Sequence, residues 1–303
     1  MSMDNSRFVV GSPTLLRDGL QPGEVPVHRI LCPNASTMTG PGTNTYLIGS
    51  ESMALVDPGP ALPEHIAAIE AALEGRPLER IFVTHTHGDH SPGAMALHRA
   101  TGAELIGLAA PPGAAYQDTG FQPSRIYHDQ ERIECDGFTM RLISTPGHVS
   151  NHLCFLLEEQ SLLFTGDHIL QGTTPVILPP DGDMKDYLDS LEQLRSLPLQ
   201  YLAPGHGELM SDPEQMISAL IRHRQRRELK IITHLADMQP VTLKQLVVPV
   251  YDDVPAHLLP WAEKTLLAHL LKLEREGRAR QQSGQQTGAA SDDSALWSLI
   301  GGQ

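Results

Sequence analysis

The stretch Thr84-His85-Thr86-His87-Gly88-Asp89-His90 constrains this 303-residue chain more than any other. Three imidazoles and one carboxylate fall within six residues, a density that is costly unless the groups are used. Neutral imidazole and carboxylate are the usual ligands of Zn²⁺. The stretch follows an apolar, strand-like run, Arg80–Val83, and precedes a helical pattern beginning near Pro92. It is therefore a loop at the C-terminal end of a strand, where α/β folds place their sites. One loop cannot fill two coordination shells, so further ligands must come from other strand ends.

Three such ends recur in the same local setting. Phe138–Ile143 leads into Thr145-Pro146-Gly147-His148, Leu162–Phe164 into Thr165-Gly166-Asp167-His168, and Gln200–Leu202 into Pro204-Gly205-His206-Gly207. Each is a strand, a turn through small or glycine residues that lets the backbone approach an ion, and a ligand-type side chain. The set suits two divalent ions. His85, His87 and His148 are assigned to the first, Asp89, His90 and His206 to the second, and Asp167 to a bridging position. Asp89 and Asp167 are the candidate catalytic carboxylates. A pair of ions roughly 3.5–4 Å apart can activate a shared water and clamp the attacked group. The ligand set points to Zn²⁺, and Mn²⁺ or Fe²⁺ would also fit. Taken singly each piece is bland: a lone His148 or His206 reads as a core or surface histidine, and Gly-His-Gly as a turn. The four pieces in this order and context outweigh that reading.

The set His85-Thr86-His87-Gly88-Asp89-His90, then His148, Asp167 and His206, resembles the metallo-β-lactamase superfamily. Gly42-Thr43-Asn44-Thr45-Tyr46-Leu47 and Leu55-Val56-Asp57-Pro58-Gly59 extend the resemblance. It implies an αββα sandwich, two sheets flanked by helices, with Asp57 holding the ligand loops near the metals. A β-turn aspartate before proline is the competing reading of Asp57. Antibiotic hydrolases of this fold are usually exported and lack the bridging aspartate, so Asp167 argues against that activity. Glyoxalase II, lactonases and nucleases of the fold all share it, and the site alone does not separate them.

A closer resemblance, over nearly the whole chain, is to the β-lactamase-like protein 2 family, endoribonucleases acting on single-stranded RNA. Its marks are Gly42-Thr43-Asn44-Thr45-Tyr46, Ser161–Leu170, the helix Tyr187–Leu194, His223-Arg224 and the late helix Leu266–Gly277. One departure is Thr86, where animal members lead one to expect a bulkier aromatic; it bears on substrate fit rather than on metal binding. The resemblance implies a nuclease. The alternative is a thioester or lactone hydrolase resembling glyoxalase II, acting on a small molecule. A third reading, a winged-helix binding protein with an inactive catalytic domain, is weakened because every expected ligand is present.

Organisation along the chain agrees with a layered α/β class. Val27–Leu31, Thr45–Ile48, Ala54–Val56, Arg80–Val83, Glu104–Gly107, Phe138–Ile143, Leu153–Leu157 and Leu162–Thr165 read as strands. Pro63–Leu73, Pro92–Ala100 and Met184–Leu197 read as helices. The expected domains are a catalytic domain at 1–210, a connecting helix at 211–236, and a winged-helix-like module at 237–303. In the last, Thr242 caps a helix Leu243–Val248, Pro260–Glu276 is a second helix ended by Gly277, and Arg278–Gln282 and Ala295–Leu299 are strands around a polar, mobile tip, Ser283–Ser294.

Charge bears on the substrate. The net charge is −14, yet basic and acidic residues cancel from Ser211 to Gln303, so the negative excess lies in the first 210 residues. An acidic surface disfavours loose binding to nucleic acid. Arg222, Arg224, Arg226 and Arg227, on the long helix after Pro213, are the candidate contacts to a phosphate backbone, with solvation of a helix face as the bland alternative. His152, just past His148, is a candidate proton donor or loop-orienting residue, the second being favoured. The polar start Met1–Arg7 shows no signal peptide, no run reaches membrane-span length, and three distant cysteines suit a reducing compartment. These features lead to the expectation of a cytoplasmic protein that engages no membrane. Many proteins of this fold pair, so a homodimer is a further expectation.

Overall fold

Strands whose residues are apolar at every position need a core on both faces, and this chain supplies two. The structure, a computed structural model, describes residues 25–282 and 295–300; Met1–Arg7 and the tip 283–294 lie outside the described residues. The chain divides into two compact units. The first holds the described residues up to Thr145, Asn151–Pro175 and Leu197–Glu214; the second holds Pro146–Ser150, Val176–Ser196 and the described residues from Gln215.

Unit one contains two five-stranded sheets. In the first, β1 (Val27–Leu31), β2 (Asn44–Ile48) and β3 (Met53–Val56) are antiparallel, and β3, β4 (Leu78–Phe82) and β5 (Glu104–Ile106) are parallel. In the second, the order runs β10 (Tyr201–Pro204), β9 (Leu162–Gly166), β8 (Leu153–Leu157), β7 (Thr139–Ser144) and β6 (Arg132–Glu134), with only the β10–β9 pair parallel. Successive strand residues point to opposite faces. Tyr46, Ile48, Val56 and Phe82 thus meet Phe155, Leu157 and Phe164 between the sheets, where Tyr46–Phe164 and Phe82–Phe155 ring centroids lie 5.1 Å apart. Leu47, Leu55 and Ile81 face the other way, onto Ile69 and Leu73 of α1 (Pro63–Leu73) and Leu97 of α2 (Gly93–Thr101). Each fully buried side chain of this kind contributes about 1.5–3 kcal/mol. The helices are the crossovers that parallel strands require.

Unit two carries α3 (Met184–Arg195), capped by Asp183 through the backbone amides of Lys185 and Asp186, and nearly all of α4 (Pro213–Met238). Then come β11 (Val241–Thr242), α5 (Leu243–Val250), α6 (Leu259–Arg275), β12 (Ala279–Gln282) and β13 (Leu296–Leu299). The three strands form a sheet in the order β11-β13-β12 around a core of Leu246, Val250, Leu266, Leu270 and Trp297. Thr242 forms the expected cap, as a capping box with Gln245, and Gly277 ends the α6 turn at φ 71°. This is the helix, helix and hairpin outline of a winged helix. No described helix is long and apolar enough to cross a membrane.

Two expected phosphate contacts are corrected. Arg224 is 3% exposed and its guanidinium lies 5.3 Å from the Tyr187 ring centroid. Arg227 is 8% exposed, forms a two-pronged pair with Asp253 at 2.8 and 2.9 Å, and lies 4.2 Å from the Tyr251 ring centroid. Both are spent inside unit two. Arg222 and Arg226 are exposed.

Candidate metal centre

All ligand loops of unit one leave the C-terminal ends of strands. Thr84–His90 follows β4, Asp167 follows β9 and His206 follows β10. The two sheets are stitched together at this rim: Asn44 N donates to Gly205 O at 2.8 Å, and Leu153 N donates to Thr84 O at 2.8 Å. Asn44 Nδ2 donates to the carbonyls of Pro204 and Gly207, clamping the His206 turn from both sides. That is the work of Asn44 in the Gly42–Leu47 motif. Gly205 is required sterically: a Cβ there would lie 2.6 Å from His90 Cε1 and 2.8 Å from Asp167 Oδ1.

Within this frame the side chains converge. Ligand atoms of His85, His90 and Asp167 lie within 4.8 Å of one another, and so do those of Asp89, His90 and His206. His85 Nε2 is 2.9 Å from His87 Nδ1. His90 Nε2 is 3.4 Å from Asp167 Oδ1, and His206 Nε2 is 3.3 Å from both Asp167 Oδ1 and Asp89 Oδ2. His148 belongs to the Pro146–Ser150 segment of unit two, where its Nδ1 is 2.7 Å from Val176 O.

Hydrogen bonds fix which nitrogen each ring presents. His90 Nδ1 donates to Asp57 Oδ2 at 2.8 Å. His206 Nδ1 donates to Gly42 O at 3.1 Å. Thr84 Oγ1 gives its one proton to Asp57 Oδ2 at 2.7 Å, so Thr84 Oγ1 accepts from His85 Nδ1 at 3.1 Å. Nε2 of His90 and His206 therefore faces the carboxylates and is buried without a hydrogen-bond partner, and His85 Nε2 faces His87 Nδ1. Donors on Nδ1 and lone pairs on Nε2 make the ordinary preparation of a metal-binding histidine.

Asp57 sits at the centre of that preparation. It also accepts from Thr84 N at 2.8 Å, and its backbone is left-handed at φ 51°. Thr45 Oγ1 donates to Asp57 O at 2.6 Å and in turn accepts from His65 Nε2 at 2.8 Å. Thr84, Thr45 and His65 were not legible in the sequence as site residues. His152 is buried, its Nδ1 2.9 Å from Thr145 Oγ1 and its ring stacked 5.1 Å from His85. Its ring packs on that of His85.

The electrostatics call for cations. Burial would drive the His90 imidazole to neutrality, yet Asp167, Asp89 and Asp57 outweigh it and raise its pKa well above the ordinary value. His206 is raised in the same way, against burial and chiefly by Asp167, to about 9. Against burial, His206 and His90 hold the Asp167 carboxyl well below its usual range, and His90 and His206 lower Asp89. His85 goes the other way, lowered by burial and then by His90 and His87. Ionised carboxylates that draw the facing imidazoles of His90 and His206 toward the positively charged form make a buried cluster suited to divalent metal ions, which would take the place of the protons.

Thr86, the departure from the expected aromatic, is buried; it donates to Gln117 Oε1 and accepts from Asn151 Nδ2 at 2.7 Å. Its hydroxyl is committed to the segment after β5 and to Asn151.

The family model of the metallo-β-lactamase superfamily matches residues 38–206, and that of the β-lactamase associated winged helix domain matches residues 242–288. The chain is 33% identical to a β-lactamase-like protein 2 homolog of Caenorhabditis elegans, over 82% of this chain and 82% of that protein. It is 34% identical to the homolog of Drosophila melanogaster, over 84% of this chain and 89% of that one. A β-lactamase domain protein of Burkholderia ambifaria has a similar fold, with a TM-score of 0.75 at 19% identity, covering 96% of this chain and 95% of that one.

Proposed function

The chain belongs to the metallo-β-lactamase superfamily and carries its associated winged helix, and on that premise we propose that it is a two-metal phosphodiesterase that cleaves single-stranded RNA. The observation that carries the reading is the convergence of His85, His90 and His206, each held at Nδ1, on Asp167 and Asp89. His85 and His87 with His148, which the sequence motif adds, would hold one ion. Asp89, His90 and His206 would hold the other, and Asp167 would be shared. Zn²⁺ is the ion this donor set favours, with Mn²⁺ or Fe²⁺ compatible. When bound, such ions supply Lewis acidity and lower the pKa of water.

The chain's own residues then position and neutralise. Asp167 and Asp89, with pKa values below the usual range, stay ionised and hold charge rather than donate protons. Asp57 locks the tautomer of His90 and the course of the Thr84 backbone. The RNA substrate is supported by kinship with the β-lactamase-like protein 2 homologs over four fifths of the chain, because the sequence resemblance to that family implies an endoribonuclease. Arg222 and Arg226 remain available for backbone contact. With a net charge of −14, binding should be weak and salt-sensitive.

The test is cleavage of a labelled single-stranded RNA by protein with two metals per chain, with chelator and Asp89→Ala as controls. Metal-dependent cleavage that Asp89→Ala abolishes is the expected result. No cleavage by the fully loaded protein would overturn the RNA reading and turn attention to thioesters and lactones.

A further inference from the structure

The segment after β5 is pinned onto the ligand loop. Asp118 N donates to Thr86 O at 2.5 Å, Ser91 Oγ donates to Asp118 Oδ2 at 2.9 Å, and Gln117 forms an antiparallel bridge with His87. Asn151 Nδ2 reaches the carbonyls of Leu108 and Ala109 as well as Thr86 Oγ1, tying the segment's start to the same place. The register follows: with Gln117 opposite His87 and Asp118 beside Thr86, Tyr116 stands opposite Gly88.

Tyr116 is out of keeping with these surroundings in two respects. Its φ is 68°, a left-handed conformation that glycine takes freely and a bulky L residue takes at a cost. Its side chain is 85% exposed, so burial does not offset that cost. Beside it the ligand loop is bare: a Cβ on Gly88 would meet nothing within 4 Å. A strained, exposed aromatic therefore borders open space between His87 and Asp89. Strain held in place by the surrounding structure is a mark of functional positions.

We propose that Tyr116 is a substrate-contacting residue, its ring stacking on a nucleobase of the single-stranded RNA that lies over Gly88. The proposal rests on the phosphodiesterase reading and deepens it. Every base offers a π-face, so one ring would grip RNA without choosing sequence, and it would do so where the acidic unit one offers little attraction to phosphate. The fixed register of the Gln117–His87 bridge places the stacked base, and hence the neighbouring phosphodiester, relative to the ligands.

The experiment compares wild type with Tyr116→Phe, Tyr116→Ala and Tyr116→Gly, each checked for two metals per chain, on a labelled single-stranded RNA and on the same RNA carrying abasic nucleotides. Tyr116→Gly removes ring and strain together, so it should fold at least as well as wild type. The expected result is a KM raised about tenfold in the Ala and Gly variants, unchanged kcat, and retention in the Phe variant. Wild type should lose the same factor on abasic RNA, and the Ala and Gly variants should not. Equal KM for wild type and Tyr116→Gly, with wild type cleaving RNA, would overturn the stacking and leave the phosphodiesterase reading standing. Loss of metal in Tyr116→Gly would assign the residue a structural role and overturn the proposal as well. Metal-loaded wild type that cleaves no RNA would remove both.

Discussion

Asp57 Oδ2 lies 2.8 Å from His90 Nδ1, and the same carboxylate holds the backbone amide and the hydroxyl of Thr84. One buried side chain thus sets both the tautomer of a ligand and the start of the loop that carries three others. Asp57→Asn keeps the shape, and asparagine tolerates the left-handed backbone at φ 51°. It removes the negative charge behind His90. The new amide NH2 must face either Thr84 N or His90 Nδ1, both donors, so metal affinity should fall about 10- to 100-fold, as for other outer partners of ligating histidines, and the melting temperature should fall as well. Competition with a calibrated chelator measures the first, and calorimetry the second. Unchanged affinity would mean that Asp57 acts on the fold and not on the metals.

The close approach at Gly205 gives a second test. A methyl group there would press on His90 Cε1 and Asp167 Oδ1 at 2.6 and 2.8 Å, and both side chains are buried, His90 also held by its hydrogen bond to Asp57. Gly205→Ala should fold, because Gly205 lies in the turn after β10 and outside the sheet cores, but it should displace the two groups that face each other across the centre. Bound metal measured by mass spectrometry should fall below two per chain, and activity should drop by about 100-fold or more, the scale expected of misplacing catalytic groups by an ångström. Full metal content with full activity would show that the turn can shift.

How much of this was readable beforehand follows from what each feature depends on. Ligand-type residues at the ends of apolar runs are local signals, so the convergence of His85, Asp89, His90, Asp167 and His206 could be anticipated, and strands such as Val27–Leu31 and Leu153–Leu157 kept their bounds. Strand β6 was not anticipated because Arg132-Ile133-Glu134 has one apolar residue between two charges, the composition of a protected edge. The Thr45–His65 and Thr84–Asp57 contacts join residues 20 and 27 positions apart, and a hydroxyl's partner leaves no periodic trace. Arg227 reads as surface charge until Asp253, 26 residues on, is brought to it. Tyr116 has no motif; only the bridge to His87 gives it a place.

The arginines of α4 should divide accordingly. Arg227 is buried in a two-pronged pair with Asp253 and also donates to Val250 O. Arg227→Ala leaves those acceptors unmatched and should destabilise unit two by about 2 kcal/mol, less than a wholly buried pair because Asp253 is half open to water. Arg222→Ala and Arg226→Ala should stay within about 0.5 kcal/mol of wild type. If they touch phosphate, each should lower the salt slope of RNA binding by about one. Urea titrations and RNA binding at several salt concentrations measure both. A large loss of stability in Arg226→Ala, or none in Arg227→Ala, would contradict the division.

Acid should weaken unit two in two adjoining windows. His269 is fully buried on α6 with Nδ1 3.9 Å from Glu228 Oε2, and Lys272 Nζ donates to the same oxygen at 2.7 Å. Burial pushes the His269 imidazole down to about 4 from an ordinary 6.5, although Glu228 pulls the other way. Between those values the unfolded chain binds a proton that the folded chain refuses, so stability falls as the pH drops from 6.5 to 4 and the loss then levels off, on the order of 3 kcal/mol. Glu228, against its burial, is drawn by His269 and Lys272 down to about 2 from 4.5. Its contribution is complete above pH 4.5 and is lost as the pH falls toward 2. Both tryptophans, Trp261 and Trp297, lie in unit two, so their fluorescence in urea titrations reports on it directly. The midpoint should decline steadily below pH 6.5, and His269→Gln should flatten the upper window and shrink the lower one, where Lys272 still holds Glu228 down. A wild-type midpoint that does not change between pH 6.5 and 4.5 would mean that His269 takes its proton without leaving the fold.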